Sequence, residues 1–160
     1  MPRVTRQTAA GTFDAPAKAE ETTWVSLRPN LYLDIIGTLV LQEGTRYRLA
    51  PFAKEFIATI KESFDLKFLS ELTSAAATEI AELLEADIEF IPWRKGLGKV
   101  TGIDFAKDFL WIDDSPAPRD LMRLSEERCS SSLISVNGRD GVTRVTLDKV
   151  EASLERLALV

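Results

Sequence analysis

Five short apolar runs, separated by segments patterned as helices, constrain the fold of this chain more than any other feature. They are LYLDII (31–36), DLKFLS (65–70), DIEFIPW (87–93), DFLWIDD (108–114) and SSLISVN (131–137). Between them, PFAKEFIATIKES (51–63) sets Phe52, Phe56, Ile57 and Ile60 on one helical face, with Pro51 suited to a first turn. TSAAATEIAELLEA (73–86) offers Thr73 or Ser74 as an N-cap. RDLMRLSEE (119–127) follows Pro116 and Pro118, and VTLDKVEASLERLAL (145–159) sets Val150, Leu154 and Leu157 on one face. Strands alternating with helices every thirty residues or so imply a parallel sheet covered on both faces with right-handed crossovers. The expected fold is therefore a doubly wound, Rossmann-like α/β domain with a five-stranded, mainly parallel sheet. VLQEGTRYRLA (40–50) alternates around Glu-Gly-Thr and predicts a short hairpin or flap. Residues 1–22 show no sustained period and read as a flexible extension, with Trp24 and Val25 docking on a single domain over 23–160.

Composition removes several kinds of chemistry. The chain has no histidine, so Ser-His-Asp and Cys-His nucleophiles and His-ligated zinc are excluded. Its single cysteine, Cys129, excludes an internal disulfide, cannot build a thiolate metal site, and suits a reducing cytoplasm. A net charge of −5 argues against a nucleic-acid backbone binder. No apolar run approaches membrane-spanning length, and the first residues lack the apolar core of a signal peptide, so a cytoplasmic protein is expected. Any catalysis must rest on carboxylates, Lys, Ser/Thr and a hard, oxygen-ligated cation.

In doubly wound folds, ligands bind beyond the carboxyl ends of the strands, where strand order reverses. The first strand ends at Asp34, the second at Ser70, and the fourth at Asp113 and Asp114, while Lys95 and Lys99 precede the fourth. One strand-terminal Asp ordinarily caps a turn. Three carboxylates, a hydroxyl and an ammonium at one edge suit a divalent cation, Mg2+ above all, together with a phosphate. Other features read as structure. Phe90, Trp93, Phe109 and Trp111 are core aromatics in an acidic chain rather than a stacking surface for bases. GKVTG (98–102) lacks the spacing of a phosphate loop, and RCSSS (128–132) holds a structural cysteine.

LYLDIIGTLV, FLSELT, the Lys loop and FLWIDDSP, in this order, resemble the four motifs of the haloacid dehalogenase (HAD)-like superfamily. The likeness runs over roughly residues 29–160. FDLKFLSELTSAAATEIAELL and the DDSP ending are also similar to the capless phosphatases that act on the RNA polymerase C-terminal domain. The resemblance implies a magnesium-dependent hydrolase of phosphate monoesters, in which Asp34 is the nucleophile that forms an aspartyl-phosphate. It makes Ser70 and Lys99 catalytic and gives Thr38, Ser70, Lys99 and Lys95 contacts to the substrate, with Lys95 the alternative to Lys99 as the motif lysine. Asp34, the backbone carbonyl of Ile36, Asp113 and Asp114 would hold the metal. Ile36 stands where these phosphatases carry a second acid that gives and takes the proton, which implies slow turnover. Glu43 in the flap and Glu71 beside Ser70 are the candidate substitutes for that acid, and both read more simply as solvated surface charges.

The dehalogenases also lack that second acid, but they carry a sizeable cap after the first motif. Here only about a dozen residues lie between Thr38 and the Pro51 helix, so no large cap is expected and dehalogenation is disfavoured. An uncapped site suits a bulky or macromolecular phosphate ester, or a second subunit as cover, and the partner expected in general is a phosphorylated small molecule or macromolecule. The competing expectation is a pseudoenzyme on the same fold that keeps the phosphate site as a binding module.

Overall fold

In a computed structural model of the chain, residues 27–158 are described. The expected extension over 1–22 and the docking of Trp24 and Val25 lie outside them. The chain forms β1 (Asn30–Leu33), β2 (Val40–Glu43), β3 (Arg46–Leu49), α1 (Ala53–Ile60), β4 (Asp65–Phe68) and α2 (Ser74–Leu84). It continues through β5 (Glu89–Phe90), β6 (Phe109–Asp113), α3 (Pro118–Glu126), β7 (Leu133–Ser135) and α4 (Arg144–Ala158). Short 3-10 turns lie at Lys99–Gly102 and Ser130–Ser132.

The main sheet has the order β5-β4-β1-β6-β7, and every pair in it is parallel. From β1 the chain builds first toward β5 and then returns to add β6 and β7 on the other side. The strand order thus reverses at β1, which opens a crevice beyond its carboxyl end. Side chains alternate across the pleat. Leu31, Leu33, Leu110 and Ile112 enter one core with residues of α1, α2 and α4, while Tyr32, Phe109 and Trp111 enter another with Leu124 of α3. Burial on both faces explains why these strands read as apolar runs, and no described helix is long and apolar enough to cross a membrane.

Local chemistry sets the element ends. Thr73, in extended backbone, accepts the Ala76 amide at 3.2 Å and caps α2. Pro118 occupies the first turn of α3. The helix expected from Pro51 starts at Ala53, whose amide closes a turn onto the Ala50 carbonyl at 3.0 Å. The strand expected over 87–93 is only two residues long. It lies at the sheet edge, where Ile91 still donates to the Phe68 carbonyl and Pro92 has no amide to continue the ladder. Ser131 and Ser132 belong to the turn before β7. β2 and β3 form the expected hairpin.

Candidate active site

Asp34 is the first residue past β1, and its amide donates to the Ile112 carbonyl at 3.0 Å. The chain then folds back sharply. The amides of Thr38, Leu39 and Val40 all donate to the Ile35 carbonyl, and Gly37 donates to Val40 at 2.7 Å. Gly37 sits at φ +86°, a region that favours glycine, and a Cβ there would lie 2.3 Å from the Asp114 carboxylate. Thr38 is buried, and its hydroxyl donates over a long 3.5 Å to Asp34 Oδ2. Its carbonyl accepts the Val142 amide, which ties this loop to the segment before α4.

The neighbouring strand ends bring further groups to Asp34. Ser70, two residues past β4, is buried, and its Oγ accepts the Leu72 amide at 3.2 Å. That bond leaves the hydroxyl proton free to donate. Lys99 projects from the 3-10 turn, and its Nζ donates to Asp34 Oδ1 at 2.9 Å and to Asp113 Oδ2 at 2.8 Å. Asp113 ends β6, fully buried, and its second oxygen accepts the Ser115 amide. Asp114 packs between Gly37 and Gly138, where a Cβ on Gly138 would lie 2.6 Å from Asp114 Oδ2. Carboxylate oxygens of Asp34, Asp113 and Asp114 all lie within 4.8 Å of one another.

One ammonium among three carboxylates leaves an excess of negative charge. Burial, and then the charge of Asp113, push the Asp34 carboxyl up to about 7 against the pull of Lys99. Burial also raises Asp113 more than Lys99 lowers it. Burial opposes the charged form of Lys99, but the two carboxylates reverse that and raise it, so the lysine stays an ammonium. Both acids are raised despite being ion-paired because one cation serves two carboxylates that water scarcely reaches. A hard divalent cation fits such a donor set, and Asp34, Asp113 and Asp114 are the residues that could hold it.

These residues open onto a cavity of about 520 Å³ lined by Asp34, Ile36, Ser70, Lys99 and Asp114, with Glu71 and Lys95 exposed at its mouth. Of the two candidate lysines, Lys99 reaches the carboxylates and Lys95 stays at the rim. The half-buried Ile36 is among the residues lining the cavity and also packs against the core. Glu43 is paired with Arg48 at 3.0 Å on the hairpin, and no residue of β2 or β3 lines the cavity. Trp111 and Phe109 are core residues as expected. Trp93 is not wholly one: it is half-buried, lines the cavity, and its indole donates to the Ser70 carbonyl at 2.8 Å.

Sequence reasoning did not find Asp120. This buried acid accepts the Val100 amide at 3.2 Å and the Ala117 amide at 3.4 Å, which pins the lysine turn to the start of α3. Its only sequence signal is an acid in the first turn of a helix opened by proline, which ordinarily marks a cap.

No family model matches the chain, and no curated protein matches it. Among solved structures it is similar to a HAD family hydrolase, provisionally so described, from Streptomyces avermitilis MA-4680. The two are 18% identical, with 80% of this chain and 88% of that one covered at a TM-score of 0.47.

Proposed function

We propose that the chain is a HAD-like, magnesium-dependent phosphohydrolase that acts on a phosphate monoester through Asp34. One observation carries this reading. A buried lysine bridges two strand-end carboxylates at the point where strand order reverses, with a third carboxylate within 4.8 Å and Ser70 in the same cavity. Asp34 is the nucleophile: its oxygen attacks phosphorus, and an aspartyl-phosphate forms that water later cleaves. Lys99 orients Asp34 and offsets the charge that the phosphoryl group brings to two acids. Ser70 donates its hydroxyl proton to a phosphoryl oxygen, and Thr38 steadies the other oxygen of Asp34. A bound Mg2+, held by Asp34, Asp113, Asp114 and the Ile36 carbonyl, would neutralise carboxylates and phosphate. Phosphoryl transfer depends chiefly on positioning and charge, and this site supplies both.

The missing function is proton transfer, a contribution of about 10²- to 10⁴-fold, and the aliphatic side chain of Ile36 has none to give. That observation supports the second reading, a pseudoenzyme that binds phosphate and turns it over poorly. Among the described residues no cap covers the mouth, which supports a bulky ester, or a second subunit as cover. Hydrolysis of 4-nitrophenyl phosphate with and without magnesium separates the readings when the native chain, Asp34→Asn and Ile36→Asp are compared. Metal-dependent hydrolysis abolished in Asp34→Asn is the expected result. A native chain that is inert beside an active Ile36→Asp supports the pseudoenzyme. If magnesium and beryllofluoride both fail to bind, the site assignment falls.

A further inference from the structure

We infer that the substrate is a phosphate whose leaving oxygen is weakly basic, an aryl or acyl phosphate, because among the described residues no acid or ammonium beside the reacting end of the cavity is free to protonate it. This inference rests on the phosphohydrolase reading and names its substrate class. Among the described residues that line the cavity, the hydroxyls of Ser70 and Ser115 and the guanidinium of Arg119 are far too weakly acidic to protonate a departing oxygen, and the stronger acids and the ammonium groups are committed elsewhere or exposed. Lys99 Nζ donates to Asp34 and Asp113. Asp120 accepts two backbone amides, and Asp114 is wedged between Gly37 and Gly138. Glu71 and Lys95 are exposed at the mouth, where water surrounds them.

Much of the remaining wall is apolar. Ile36, Leu72, Trp93, Pro116 and Ala117, all half-buried, line the cavity around this polar floor. A leaving group that needs no proton can depart against such a surface, and an aromatic or acyl body buries apolar area there. The step balances without an acid. An Asp34 oxygen bonds to phosphorus, the bond from phosphorus to the leaving oxygen breaks, and its electron pair leaves as a phenolate or carboxylate. Water then attacks phosphorus, Asp34 departs as a carboxylate, one water proton stays on the phosphate and the other passes to solvent. An alkyl ester would have to release an alkoxide, which is far too basic to leave unprotonated.

The test compares benzoyl, 4-nitrophenyl and benzyl phosphate with the full chain and magnesium. Benzyl phosphate keeps the aromatic body and carries an alkyl leaving oxygen. The expected result is turnover of the first two, together or singly, with benzyl phosphate at least ~100-fold slower than the better of them, in line with the loss of a general acid. Ile36→Asp should narrow that gap. If this variant does not fold, the native series decides alone. A native gap below about 100-fold overturns the inference and leaves the phosphohydrolase reading standing. A gap that opens only in Glu71→Gln overturns it too, because Glu71 would then supply the proton. If all three esters are inert while magnesium binds, the inference and the phosphohydrolase reading fall together.

Discussion

Replacing Lys99 by Met removes the cation between Asp34 and Asp113 and keeps a side chain of similar reach. At 2.9 and 2.8 Å, each ion pair carries about 6 kcal/mol of attraction at an effective dielectric constant of about 20. Desolvating the ammonium offsets much of this, and breaking a buried pair from one side costs about 3–5 kcal/mol. The loss depends on pH. Asp34 sits at about 7 in the folded chain and near 3.9 when unfolded, so its contribution to stability is full below about pH 4 and is lost as pH rises through about 7. Lys99 is raised above the ordinary lysine value, so its contribution is full at neutral pH and is lost only as pH rises through that higher value. Without Lys99, both carboxyls move higher still, and stability keeps falling above pH 7. Urea unfolding in EDTA at pH 5, 7 and 8.5 measures this. With a slope of about 2 kcal/mol per molar, the midpoint of Lys99→Met should fall by about 2 M at pH 8.5. The fall should be smaller at pH 5, where the acids can take up protons. Equal midpoints at pH 8.5, or a gap independent of pH, would refute the charged bridge.

Three further outcomes follow from the same contacts. Gly138→Ala places a Cβ 2.6 Å from Asp114 Oδ2 at a position without positive φ, so it should weaken magnesium binding about 10- to 100-fold with little change in melting temperature, as calorimetry and a melt would record. Magnesium affinity should rise with pH up to about 7 and then level, because Asp34 must lose its proton to bind; titrations in buffers of different ionisation enthalpy would count the protons released. Asp120→Ala leaves the Val100 and Ala117 amides without an acceptor, so it should cost about 2 kcal/mol and raise hydrogen exchange over 98–102.

The parts of this fold that depend on local pattern were legible in the sequence. Apolar runs marked β1 and β6 most clearly because those strands are buried on both faces, and proline and threonine marked where helices begin. The gathering of Asp34, Ser70 and Asp113 followed from one topological rule about strand ends. What stayed hidden rests on contacts between distant segments. The reach of Lys99, and not Lys95, into the site depends on Asp120, a residue of another element that holds the turn. Asp114 is packed by Gly37 and Gly138, and only the folded chain brings those glycines together. Trp93 carries the composition of a core residue, yet Pro92 ends its short edge strand and leaves it at the rim.

The loop around Ile36 is shaped by bonds that do not involve its side chain. Three amides converge on Ile35, Gly37 bonds to Val40, and Thr38 bonds to Val142. The residue at 36 can therefore change without moving Asp34, and its effect is electrostatic as well as chemical. An acid at 36 would stand half-buried beside a cluster that already drives Asp34 up to about 7. Ile36 thus relieves repulsion at the site while withholding a proton donor. Ile36→Asp should consequently unfold several degrees below the native chain in EDTA at pH 8, for a cost of about 1–2 kcal/mol. Magnesium should recover more stability in the variant than in the native chain, because the ion meets one more negative charge. Paired thermal melts with EDTA and with magnesium decide the matter. An Ile36→Asp chain as stable as the native one in EDTA would mean that residue 36 lies outside the field of the carboxylate cluster, and its replacement would then bear on proton transfer alone.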